Sequence, residues 1–174
     1  MRKVNTIKLG ATKGDKFIKD ANDVFTYYIS LDFKNYTAKQ KPTKIVNIEV
    51  NEMDKDGTFK DLFPYPEKQA MTQSQIIEFV KNHKEELNKD YGNFFLFKDK
   101  GDFSVAFVDV YGGQPGAYVY PFSNDVVWNA TYQHRVFSLQ LDPKTLKTKS
   151  LEPSETLPLD NFIKDLKDLI QKYE

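Results

Sequence analysis

Three ionisable side chains in the second half of the chain are of the types that acid–base chemistry uses. Asp109 lies inside the apolar run SVAFVDVY, and His134 and Arg135 open the later run HRVFSLQLD. A histidine that exchanges a proton needs an orienting partner, and Asp109 or Asp125 is available for that role. We assign no catalytic residue from the sequence; under the alternative of a catalytic domain, the candidates are Asp109, His134 and Arg135 at the mouth of a pocket.

A structural interpretation of Asp109 competes with the catalytic one. A carboxylate inside a central strand is costly to bury unless a partner compensates its charge. Arginine is scarce in this chain, and Arg135 lies on another core-like strand. We expect the two to form a buried ion pair, in which case Asp109→Ala destabilises the fold because it leaves Arg135 unpaired.

The stretch VYGGQPGAYVYPF, residues 110–122, combines a glycine-rich turn with aromatic strand residues. The glycines favour a hairpin turn, because glycine adopts positive φ without strain. Strand alternation places Tyr118 and Tyr120 on one face, and tyrosine and tryptophan give a large contact area at a small entropic cost. The predicted binding residues are Tyr111, Gln114, Tyr118, Tyr120 and Trp128. Packing in the core with the hydroxyl groups reaching water fits the same pattern.

Metal and cofactor motifs fail at positions that their chemistry requires. Glu52, Asp54 and Asp56 have the spacing that opens a calcium loop, but position twelve, which needs a bidentate carboxylate, is Phe63. The chain has two histidines and no cysteine, which excludes a zinc site with three histidines or with any cysteine ligand. The phosphate-binding loop and the dinucleotide fingerprint are both missing. We expect no metal and no cofactor.

Charge and hydropathy argue against nucleic acids and membranes as partners. With 25 basic and 25 acidic side chains the formal net charge is zero, so nothing attracts the chain to a polyanion. Lys100 and Gly101 match part of an RNA-recognition strand, yet Asp102 and Ser104 stand where bases would stack on aromatic rings. The sequence has no run of about 18 apolar residues and no apolar leader. We expect a cytoplasmic protein, unless a signal peptide has been removed.

Strand-forming segments dominate the chain, separated by Gly, Pro, Asn and Asp. The segments are residues 4–9, 24–33, 44–50, 93–97, 103–111, 117–122, 134–142 and 145–150. Thr72 and Gln75 have the capping-box spacing that opens a helix over 73–89, and the apolar stripe after Pro158 predicts a C-terminal helix. We predict a single α+β domain over residues 1–174, in which a curved antiparallel β-sheet, connected as a meander, is covered by two amphipathic helices.

These observations favour a small non-enzymatic binding protein that acts on another macromolecule, as an inhibitor, immunity factor or adaptor does. We expect that macromolecule to be another protein. The alternative is a small-molecule-binding or hydrolytic domain with a pocket between the sheet and the helices. A deep pocket that joins Asp109, His134 and Arg135 favours the alternative, whereas a flat exposed tyrosine patch favours protein binding.

Overall fold

A mixed β-sheet lies at the centre of the computed structural model, which describes residues 1–143. In this part of the chain seven strands form one sheet, in the order β1-β3-β7-β4-β5-β6-β2. The strands are β1 (Arg2–Leu9), β2 (Tyr28–Ile29), β3 (Val46–Glu52), β4 (Asn93–Asp99), β5 (Asp102–Tyr111), β6 (Gln114–Pro121) and β7 (Arg135–Leu139). The α-helices in the same part are α1 (Phe59–Leu62), α2 (Pro66–Gln69) and α3 (Gln73–Asn82). The predicted α+β class is confirmed.

The sheet is mixed and is not the antiparallel meander that we predicted. Strand β7 pairs antiparallel with β3 and parallel with β4, and β2 pairs parallel with β6. Strands β3 and β4 are consecutive in sequence, but β7 separates them in the sheet. The prediction assumed that strands consecutive in sequence also pair. Here the long segment between β4 and β7 allows a parallel pair to form, since parallel neighbours need a long connection.

One predicted strand and one predicted helix lie wholly outside the described residues. The predicted strand at residues 145–150 and the predicted C-terminal helix both begin after residue 143, so the cover by two helices stays a prediction. Residues Met1–Gln140 form one compact unit. No helix within residues 1–143 has the length and apolar character needed to cross a membrane.

The predicted strand at residues 24–33 is mostly a loop at the edge of the sheet. Its segment Tyr28–Ile29 pairs with Gly116 and Ala117 of β6. A 3-10 turn follows at Leu31–Asn35, where the Oγ of Ser30 accepts a hydrogen bond from the backbone N–H of Asp32. Phe25 and Phe33 of this region are buried. The aromatic residues that the pattern assigned to a strand therefore anchor a loop against the core.

Helix α3 begins where its capping box predicts and ends earlier than expected. The Thr72 Oγ1 accepts from the N–H of Gln75 at 3.1 Å, and the Gln75 side chain accepts from the N–H of Thr72 at 2.8 Å. The helix ends at Asn82 instead of residue 89, and a 3-10 turn over Lys84–Glu86 follows. That turn carries Leu87 into the core, which satisfies the apolar periodicity without a longer helix.

The central strand β4 is buried on both faces, so the sheet separates two cores. Phe95 and Phe97 pack in a first core that α3 covers with residues such as Phe79. Phe94 packs in a second core on the opposite face, together with Phe59 of α1. A fully buried phenylalanine contributes about 1.5–3 kcal/mol. Strand β4 is therefore held by apolar packing on both of its faces.

Gly92 leaves the space that the ring of Phe107 fills, and its substitution tests this packing. A Cβ at residue 92 would lie 2.0 Å from Cε2 of Phe107. We predict that Gly92→Ala lowers the free energy of unfolding by about 1–3 kcal/mol, the usual cost of overpacking. Gly10→Ala is the control, because no described atom lies within 4 Å of a Cβ there. Urea unfolding compares the two variants, and equal stability would contradict the prediction.

Candidate functional site

The hairpin between β5 and β6 positions the candidate site. Its turn consists of Gly112 and Gly113, whose φ angles are 56° and 78°. Tyr111 and Gln114 pair directly across this turn. Positive φ at both central residues suits a two-residue hairpin, and glycine reaches it without strain. The glycines are turn residues, in a shorter turn than the five residues 112–116 that the sequence suggested.

Pairing across the hairpin places a carboxylate among tyrosines. Asp109 pairs with Gly116, and strand alternation puts Asp109 on the same face as Tyr111. Tyr118 and Tyr120 lie on this face of β6, as the alternation predicted. The face belongs to the second core at its inner end and is open to solvent at the turn, where Tyr111 is 69% exposed.

Two further tyrosines, which the sequence analysis missed, complete this surface. The ring centroid of Tyr27 lies 5.1 Å from that of Tyr111, and the ring centroid of Tyr28 lies 5.0 Å from that of Tyr118. Tyr27 and Tyr28 are 45% and 43% exposed. We call Tyr27, Tyr28, Tyr111 and Tyr118 the tyrosine cluster. A strand would have turned the adjacent Tyr27 and Tyr28 to opposite faces, so the pattern hid their proximity.

One oxygen of the Asp109 carboxylate lacks a hydrogen-bond partner in the described part of the chain. This atom, Oδ1, is buried. Gly116 makes room for it, because a Cβ there would lie 2.6 Å from Asp109 Oδ1 and 3.0 Å from Cδ1 of Tyr27. Burial raises the pKa of Asp109, and the backbone N–H groups of Asp109 and Gly116 offset this only in part. Burial and then the charge of Asp109 raise the pKa of Tyr118.

The predicted ion pair between Asp109 and Arg135 is not formed. Arg135 lies beside Asn93 of β4, and the next residue, Val136, packs in the second core. Alternation therefore turns Arg135 to the face opposite Asp109. The Nη1 of Arg135 donates to the backbone carbonyl of Glu86, and its Nε is buried with no partner among the described residues. The prediction failed because side-chain direction depends on register, which composition and periodicity do not determine.

His134 is a packed residue that is only 7% exposed. Its Nδ1 accepts a hydrogen bond from the N–H of Gly92 at 3.0 Å, which leaves the proton of the neutral ring on Nε2. The ring lies 5.1 Å from Phe94 and 5.5 Å from Trp128, measured between centroids. Burial lowers the pKa of His134 and favours the neutral form. A backbone amide therefore occupies the nitrogen that an orienting carboxylate would need.

A groove of about 560 Å³ runs along the hairpin. It is lined by Lys89, Asp90, Tyr91, Gly92, Phe107, Asp109, Val110, Tyr111, Gly112 and His134. Asp109 and His134 thus share a groove, as the sequence analysis required for a pocket, while Arg135 does not line it. Residues 1–143 contain no group of three His, Asp or Glu side chains arranged to hold a metal ion.

Because the Asp109 carboxylate is partly buried without a cation from the described residues, we predict that removing its charge stabilises the protein. This is the opposite of the effect expected for a buried ion pair with Arg135. Burial raises the pKa of Asp109 above its ordinary 3.8, so the unfolded chain loses this proton at a lower pH than the folded chain. Stability is therefore lost as pH rises from 3.8 through the folded pKa. We expect Asp109→Asn to be more stable than the parent protein at pH 7, by less than about 1 kcal/mol because solvent screens the half-buried group, and the difference to shrink towards pH 3.

The control for this prediction is Asp102→Asn, which removes the same charge from an exposed position of the same strand. Urea unfolding at pH 3, 5 and 7 gives the three stability profiles. An Asp109→Asn variant that is less stable than the parent at pH 7 would mean that the carboxylate is paired in the folded protein.

The structure divides the predicted binding residues into two groups. Tyr111 and Gln114 are exposed at the turn, and Tyr118 is half-buried beside them. Tyr120 and Trp128 pack against the second core, where their rings lie 6.0 Å apart. The indole Nε1 of Trp128 is buried without a partner among the described residues.

No family model matches this chain, and no curated protein or solved structure matches it.

Proposed function

We propose that the chain is a non-enzymatic protein-binding module and that the tyrosine cluster is its contact surface. The supporting observation is the exposure of Tyr27, Tyr28 and Tyr111 side by side at one edge of the sheet. Single exposed apolar residues are ordinary, whereas contiguous ones mark interaction surfaces. Tyrosine is also enriched among the residues that dominate the binding energy of protein interfaces.

The backbone beneath the tyrosine cluster supports this proposal, because it holds the rings in place before any partner arrives. The N–H of Tyr27 donates to the carbonyl of Pro115 at 3.0 Å, and the N–H of Ser30 donates to the carbonyl of Ala117 at 2.9 Å. The β5–β6 hairpin, which carries Tyr111 and Tyr118, closes with a turn of only two residues. A surface that is already ordered loses less conformational entropy on binding.

The groove that Asp109 and His134 share favours a second candidate, a small-molecule-binding or hydrolytic site. The contacts of His134 and Arg135 support this candidate less than the exposed tyrosines support protein binding. His134 receives a backbone N–H on Nδ1 instead of donating to a carboxylate, and Arg135 lies on the opposite face of the sheet. A charged transition state in this groove would therefore lack both an oriented base and the predicted cation.

We predict that substitutions in the tyrosine cluster weaken partner binding without unfolding the protein. The immobilised protein, Tyr111→Ala and the control Ile45→Ala are compared for capture from the native host. Ile45 is exposed next to β3, away from the cluster. The relevant partner is retained by the parent and by Ile45→Ala and lost by Tyr111→Ala.

Calorimetry with that purified partner then measures the effect. We expect binding at least about tenfold weaker for Tyr111→Ala, Tyr118→Ala and Gln114→Lys, in the range of interface hot spots, with an unchanged melting temperature for Tyr111→Ala. Unchanged affinity in all three variants would show that the hairpin is scaffold alone. A hydrolytic activity that vanishes in His134→Gln while the melting curve stays the same would favour the second candidate.

A further inference from the structure

We infer that the site at Asp109 takes a basic side chain, lysine or arginine, presented by the protein partner. The inference rests on the proposed protein-binding function and specifies the chemistry of the partner. It places the cation on the carboxylate of Asp109, beside the tyrosine cluster, where Tyr111 lines the same groove. Three features of the structure lead to it: an unsatisfied acceptor oxygen, aromatic rings close to it, and no cation from residues 1–143 at that point.

The unsatisfied acceptor is Asp109 Oδ1, which is buried and lacks a hydrogen-bond partner among residues 1–143. Buried carboxylates in folded proteins are normally hydrogen-bonded or paired with a cation. Asp109 as a whole is only half-buried and lines the open groove along the hairpin, so a long flexible side chain can approach its carboxylate group from solvent. A lysine ammonium or an arginine guanidinium brings both the missing N–H donors and the opposite charge.

The aromatic rings stand close to this carboxylate. Asp109 Oδ1 and Cδ1 of Tyr27 lie 2.6 and 3.0 Å from the position that a Cβ of Gly116 would occupy. The charge of Asp109 acts on Tyr118, whose ring packs 5.0 Å from that of Tyr28. A cation within about 6 Å of a tyrosine ring is attracted to its π face. A neutral hydrogen-bond donor would gain neither this attraction nor the charge pairing.

The cations among residues 1–143 leave this position open. Arg135, the predicted partner, is turned to the other face of the sheet and donates to Glu86. Lys89 lines the same groove but forms no ion pair with a described residue. Gly116 has no side chain, so the Asp109 carboxylate packs over its backbone, and the open space beside Asp109 is the groove along the hairpin. The site therefore combines an acceptor, a cavity and a route from solvent.

The test is an NMR titration of the full chain with small probes. The probes are the Nα-acetyl N-methylamides of lysine and arginine, and the norleucine analogue serves as the neutral control. At low salt we expect the basic probes to shift the backbone amide signals of Asp109, Gly116, Tyr27 and Tyr118, and the norleucine probe to leave them in place. Binding should become at least about tenfold weaker in Asp109→Asn and stay the same in Asp102→Asn.

Two results would overturn the inference: equal shifts with the norleucine probe, or undiminished binding of the basic probes to Asp109→Asn. Sedimentation velocity tests for self-association. If the parent self-associates and Asp109→Asn does not, the site binds a second copy of this chain, which would contradict the inference that a different protein occupies it.

The captured partner separates failure of this inference from failure of the proposed function. If Tyr111→Ala loses the partner and Asp109→Asn keeps it at full affinity, the proposed protein binding is supported and the inference of a basic side chain at Asp109 is wrong. If the basic probes bind at Asp109 but no tyrosine substitution affects capture, the cation site stands and the proposed contact surface is wrong.

Discussion

The parallel pairing of β7 with β4 is the interaction on which the rest of the sheet depends. It joins an antiparallel group, β1-β3-β7, to the strands β4-β5-β6-β2. The rings of Phe95 and Phe137 stack across it with centroids 4.4 Å apart and planes 8° apart. A shift of one residue would exchange the two faces of β7, and with them the two cores. The burial of Phe137 and Val136 in opposite cores therefore fixes one register.

That register determines the electrostatics of the candidate site. It turns His134 towards the groove, where Gly92 donates to its Nδ1, and it turns Arg135 to the other face. Asp109 is consequently left without the cation that would offset its burial. The two apolar cores can offset the cost of one carboxylate oxygen without a partner, since several fully buried phenylalanines contribute about 1.5–3 kcal/mol each. Local costs of this kind are characteristic of functional positions.

Features with local causes could be predicted from the sequence, and features that depend on distant pairings could not. The capping box of Thr72 and Gln75, the glycine turn and the α+β class follow from neighbouring residues. The place of β7 in the sheet does not, because pairing partners are far apart in sequence. The same limit explains the candidate site: Tyr111 and Tyr118 were identified from one hairpin, whereas Tyr27 joins them through a pairing of residues 28–29 with β6.

The short strand β2 explains how an exposed aromatic surface is compatible with a sheet edge. A long, flat, apolar edge strand invites pairing with other chains, and folded proteins commonly shorten such edges. Here the pairing ends after Ile29, and a 3-10 turn follows at Leu31–Asn35. At this end of the sheet only the two residues of β2 form the edge, and the exposed surface beside them consists of the side-chain rings of Tyr27 and Tyr28. If the tyrosine cluster binds a partner as we propose, selectivity comes from the side chains, and Asp109 is the charged group placed to supply it, because a partner without a cation would leave its carboxylate without a counter-charge.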